Sequence, residues 1–183
     1  MRLMMNLVRT FLASACLSAT ALLGMATLAM FAARAETESP IRLAVFDFEL
    51  EDFSAGAETS GESQDDRAQL ASGTAEAGRL LAQSGRYRLV DTASSGDGAV
   101  KAHLVRSCEC DAAIALKLGA DQSLVGIITR ISRTEYTVQI RIRDARTGSV
   151  VFKKVSDLRM GANYSWSRGA SSLIRNDLLA GTE

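Results

Sequence analysis

The sequence predicts an α/β (α+β) domain: a mixed β-sheet in two or three layers with helices, in the order β-α-β-α-β-β-β-α, following a leader. Three observations carry this. Ser123–Ile131 is a nearly unbroken apolar run of strand length, as in a strand covered on both faces. Thr134–Asp144 alternates, with Tyr136, Val138, Ile140 and Ile142 on one side and Thr137, Gln139, Arg141 and Arg143 on the other. Asp65–Ser84 and Asn163–Leu179 repeat apolar residues at helical spacing.

The leader comes first. Arg2 and Arg9 precede Thr10–Phe31, which holds no charge, and Ala33-Arg34-Ala35 follows as a small-x-small site before Glu36. This is the three-part pattern of a secretory signal peptide, 1–35, cleaved after Ala35. The alternatives are an uncleaved inner-membrane anchor over residues 10–31, long enough to span a bilayer at ~1.5 Å per residue, and lipidation at Cys16, which the apolar run continuing past that residue disfavours. Each puts the globular part outside the cytoplasm, in the periplasm for a cleaved signal. The membrane is a partner only if the leader is uncleaved or lipidated.

The remainder, 36–183, is expected to form a single domain. All 21 acids but only 18 of the 21 basic residues lie in it, so its net charge is −3, no footprint for nucleic acid.

Ile41–Leu50 reads as one central strand, with Ile41, Leu43 and Val45 on one face and Ala44, Phe46 and Phe48 on the other. Residues 51–66 read as a flexible, solvated acidic loop. Asp65 or Asp66 is expected to cap the first helix, whose stripe is Leu70, Ala71, Ala77, Leu80 and Leu81. Tyr87–Asp91 is a short strand, Thr92–Ala99 a flexible loop, and Val100–Ser107 a short helix carrying His103, the sole histidine. Asp111–Leu118 is a helix ended by Gly119. Ser149–Asp157 pairs back as the last strand, with Lys153 and Lys154 suited to an exposed edge. In the closing helix, Trp166 leads a stripe of Ala170, Leu173, Ile174 and Leu178 as a core anchor.

The same residues exclude several chemistries. With one histidine and no Gly-x-Ser-x-Gly elbow, a hydrolase triad is not expected, and no catalytic residue is assigned. No metal and no cofactor is expected: His103, Cys108, Cys110 and Asp111 match none of the common zinc spacings, and the acids of Glu49–Asp66 lack the calcium-loop register. Cys108 and Cys110 are expected to form a disulfide in an oxidising compartment, closing a very small ring. A thiol-redox role for the pair, in an accessory of a periplasmic oxidoreductase system, is the alternative. Arg141, Arg143, Lys153 and Lys154 are candidate binding residues on the sheet, although Lys153 and Lys154 cannot both share the arginines' face.

The block Cys108–Asp144, followed by Thr147-Gly148, Ser165–Gly169 and Leu173–Asn176, resembles a family of small exported bacterial proteins known only as a domain of unknown function. Ile41–Phe48, Arg86–Asp91 and Gly119–Gly126 are similar to the amino-terminal domain of the Tol-system propeller protein and to the curli-secretion lipoprotein. These resemblances imply a mixed-sheet α/β domain, and binding or assembly work on an envelope protein partner without catalysis. Mass spectrometry of the exported protein is expected to find Glu36 as its first residue. A start at Met1 or a lipidated Cys16 would contradict the cleaved-signal reading.

Overall fold

Strand β1 (Ile41–Val45) lies between two parallel neighbours, β3 (Tyr87–Val90) and β4 (Gln122–Arg130), which puts ladder partners on both sides of it. The computed structural model describes residues 39–57, 61–157, 159–160 and 165–182. The expected leader, 1–35, lies outside them. Across the sheet the order is β3-β1-β4-β5-β6, with β5 (Glu135–Asp144) and β6 (Val150–Val155) antiparallel. Two short strands complete it: β2 (Glu49–Asp52) runs parallel to β4, and β7 (Arg159–Met160) pairs with the start of β5. The sheet is mixed, as expected, and the helices divide between its faces.

One face carries α1 (Gln64–Gln83) and α4 (Trp166–Leu173), which pack on Leu43, Phe48, Leu124, Ile128, Val138 and Ile140. The other carries α3 (Asp111–Lys117), which packs on Ala44, Phe46, Val125 and Ile127. A short helix, α2 (Gly98–Lys101), and a 3-10 turn (Ala93–Ser95) fill the connection from β3 to α3. The stripe expected on the last helix is buried from Trp166 to Leu178, but its regular part ends at Leu173 and a wide π-turn, Ile174–Leu178, completes it.

The expected strand Ile41–Leu50 is broken. Val45 pairs with Leu124 and Glu49 with Ile127, so four steps on one strand match three on the other. That extra residue is a bulge, and it reverses which face each later side chain takes. Phe46 stays with the α3-side core and Phe48 crosses to the α1 side, against the alternation read from sequence.

The bulge is held by Phe48. Its amide donates to Thr74 Oγ1 at 2.9 Å. Its ring lies against Gly126 of β4, where an added Cβ would overlap three ring carbons, and against Gly73 of α1, where a Cβ would sit 3.2 Å from Cδ2. Two glycines therefore open a slot for one aromatic ring.

Three expected boundaries move. Ser63, not Asp65 or Asp66, caps α1, and Asp66 returns the bond as the third helical residue in a reciprocal capping box. Ala71 is exposed and Gly73 takes the buried position. Glu51 and Asp52 belong to β2 and α1 starts at Gln64, so both ends of the expected acidic loop, 51–66, lie in regular structure. The turn from α3 into β4 is also explained. Gly119 turns the chain at φ +78°, and Asp121 accepts from Arg42 Nε at 3.0 Å and Nη2 at 2.7 Å, tying the start of β4 to β1. That arginine holds the Asp121 carboxyl down at about 2.

Gly126→Ala is expected to destabilise the protein by about 1–3 kcal/mol through overpacking. Phe48→Ala should cost about 3–5 kcal/mol. In chemical denaturation the double variant should cost less than the sum, because the methyl added at position 126 no longer meets a ring; strict additivity would show that the two do not share a slot.

Candidate functional site

Asp111, the first residue of α3, is fully buried. Ser123 Oγ donates to its Oδ2 at 2.6 Å, and Arg143 Nη1 and Arg141 Nη2 approach Oδ1 at 3.1 and 3.4 Å. The two arginines point away from the α1-side core, as alternation requires, but the surface they meet is α3 rather than water. Arg143 is fixed further by the carbonyls of Gly148 and Glu109, at 2.8 and 3.2 Å. Arg141 and Arg143 thus fasten a helix to the sheet.

Lys153 and Lys154 are placed differently. Register pairs Arg141 with Lys153, on the arginines' side, and Ile140 with Lys154, on the opposite side. Lys154 Nζ lies 3.0 Å from Asp177. The four basic residues therefore form no single patch, and Lys153 is the one left exposed without an acidic partner among the described residues.

Cys108 and Cys110 are joined as a disulfide with Cα atoms 5.1 Å apart. Glu109 between them sits at φ +50°, a left-handed conformation uncommon outside glycine. The ring closes the turn that delivers Asp111 to Arg141 and Arg143 on one side and Arg106 to β2 on the other.

That second side is a cleft of about 390 Å³ at the carboxyl end of β1. The bulge supplies its floor, Phe48, and two of its carboxylates, Asp47 and Glu49. Helix α1 contributes Leu70, Ala71 and Arg67, and the segment after α2 contributes His103, Leu104 and Arg106. Glu49 is 6% exposed. Burial pushes its carboxyl above the usual range, and the bond it accepts from the Arg106 amide at 2.9 Å and the charge of Arg106 offset this only in part. Arg106 is shared, with Nε 3.6 Å from Glu49 and Nη1 3.3 Å from Glu51. His103, exposed and at φ +52°, lies with Nδ1 3.4 Å from Asp47.

The acidic segment supplies further anchors. Arg130 pairs with both Asp52, at 2.9 Å, and Asp66, and its guanidinium lies 5.3 Å over the Trp166 ring. Burial raises Asp66, but the bonds from Arg130 and Ser63 together outweigh it and leave that carboxyl below its usual range. Sequence reasoning missed Glu49, Asp111 and Arg130 as organising groups. Gly126 inside an apolar run was the available signal for the bulge beneath the cleft. Among the described residues, no group of three His, Cys, Asp or Glu is placed to hold a metal ion, and no helix is long and apolar enough to cross a membrane.

Asp111→Ala leaves two partly buried guanidinium groups without their carboxylate, and is expected to cost about 3–5 kcal/mol in chemical denaturation. A loss under about 1 kcal/mol would show that the network is incidental.

No curated protein matches the sequence. Solved structures similar to it include the LpoB C-terminal domain from Salmonella enterica, at 14% identity and TM-score 0.46, covering 69% of this chain and 87% of that one. TolB from Acinetobacter baumannii is similar at 12% identity and TM-score 0.46, covering 77% of this chain and 29% of its own. A lipoprotein from Neisseria meningitidis is similar at 13% identity and TM-score 0.46, covering 77% and 99%. Scores of this size carry no argument about function. The family resemblance read from the Cys108–Asp144 block is borne out: over residues 41–178 the sequence matches, and the chain belongs to, the family described as "Protein of unknown function (DUF2380)".

Proposed function

We propose that the protein is an exported, non-enzymatic module of the bacterial cell envelope that binds an extended segment of another envelope protein along the outer edge of β6. One observation carries this reading. β6 ends the main strand order, pairs only with β5 among the described residues, and leaves Val150, Val151 and Val155 52%, 53% and 44% exposed. Unpaired edge groups are a template for an added strand, and β-augmentation uses them for affinity and alternate side chains for specificity.

On the α3 side of the sheet, Val150, Lys153 and Val155 stand opposite Arg143, Arg141 and Gln139, with Val151 the extra residue at a register shift beside Val150, so an incoming strand with an acidic residue between two apolar ones is complementary. Lys153 also discourages pairing of the edge with a second copy of itself. Export is supported by the Arg2–Ala35 pattern, and the periplasm is the compartment a cleaved signal implies. In this reading the Cys108–Cys110 bond is a structural clasp, and Arg141 and Arg143 serve packing rather than recognition.

A photo-crosslinking residue at Val151 is expected to yield one discrete adduct in cells, absent when the same residue replaces exposed Gln83. Adding Lys153→Glu should abolish the adduct while leaving stability within about 0.5 kcal/mol, as for an exposed substitution. Equal adducts from the two positions would overturn the edge as the docking surface.

A further inference from the structure

We propose that the cleft at the carboxyl end of β1 binds a small organic cation, an ammonium group carried on a short apolar chain. Topology selects the place. From β1 and β2 the chain crosses over α1 to β3 on one side, then returns over α3 to β4 on the other. In open α/β sheets such a reversal leaves a crevice outside the carboxyl ends of the strands, where ligands bind.

Shape and lining agree with it. About 390 Å³ suits a small molecule. The floor is apolar, from Phe48, Leu70 and Ala71, and Leu104 stands at the rim 51% exposed, an apolar side chain with a face left for a ligand's hydrocarbon. His103, the residue before Leu104, holds a left-handed φ, and strain of this kind collects at ligand clamps.

Charge selects the ligand. Asp47, Glu49 and Glu62 line the cleft, and Glu51 adjoins it through Arg106. Against these four carboxylates stand two guanidinium groups, Arg67 and Arg106, with His103 beside Asp47. Arg106 divides itself between Glu49 and Glu51, and its buried Nε makes no hydrogen bond among the described residues. Glu49 is thus a nearly buried carboxylate that accepts the Arg106 amide but shares its one guanidinium with Glu51. An ammonium placed beside it supplies the missing charge, whereas an anion would add to the excess. A cation favours the ionised form of Glu49, so binding and deprotonation of that group are linked.

The test uses the mature protein with hexylammonium, hexanoate and hexanol as probes of matched chain length, followed by amide NMR. Hexylammonium is expected to shift the amides of Glu49, Leu104 and Arg106, with hexanoate and hexanol at least about tenfold weaker, equivalent to ~1.4 kcal/mol. Hexylammonium affinity should fall as pH is lowered through the raised pKa of Glu49. Glu49→Gln should cost at least about tenfold and abolish that pH dependence. If that variant fails to fold, exposed Asp47→Asn and Leu104→Ser replace it, each expected to weaken binding several-fold without unfolding. The proposal is overturned if hexanoate or hexanol binds as well as hexylammonium, if shifts fall outside the cleft, or if the folded variants bind like the wild type. The β6 edge lies beyond β4 and β5 from the cleft, so this outcome and that of the edge experiment are independent.

Discussion

The aromatic ring of Phe48, seated between Gly126 and Gly73, is the contact on which the rest of the structure depends. It requires one strand to gain a residue against its neighbour, and that single residue decides the faces of everything after it. Phe48 joins the core under α1, Asp47 is pushed out to the rim, and Glu49 is turned toward the α3 side. A regular strand would have put Phe48 on the face of Phe46 and left no floor for the cleft. Burial of a phenylalanine side chain, about 1.5–3 kcal/mol, supports a bulge that the ladder alone would disfavour.

Among the described residues three carboxylates are buried, and they differ in how completely they are answered. Asp111 has two guanidinium groups and a serine hydroxyl. Asp66 has Arg130 and both bonds of a helix cap. Glu49 has the Arg106 amide and that residue's guanidinium, which it shares with Glu51. Burying an ion is tolerated where hydrogen bonds replace its water, so the first two are fasteners. The third is the least answered by side chains, and it borders the cleft at the end of β1. Incomplete satisfaction beside open space is what distinguishes a group available to a ligand from one already committed to the fold.

Much of this was readable from sequence, for identifiable reasons. The alternation from Tyr136 to Ile142 and the stripe from Trp166 to Leu178 report burial directly, because period and face are local properties. The order of strands and helices followed from them. What escaped depends on partners distant in the chain. Whether Arg141 and Arg143 face solvent or a helix is decided by where α3 lands. The break after Val45 depends on a glycine in β4. Ser63-x-x-Asp66 was a local signal that a cap reading fixed on acids passed over. The Cys108–Asp111 segment drew attention for its thiols, while its structural work is done by Asp111.

The central place of β1 also bears on the order in which the chain can fold. Arg42 and Asp121, which lock β1 to β4, are 79 positions apart, whereas β4, β5 and β6 are joined by short reversals. Local pairings form faster than distant ones, so the antiparallel half can assemble while the slot between β3 and β4 stands empty. The strand that fills this slot begins at Ile41, shortly after the expected leader. An amino-terminal strand placed last leaves the sheet divided until its distant pairings close.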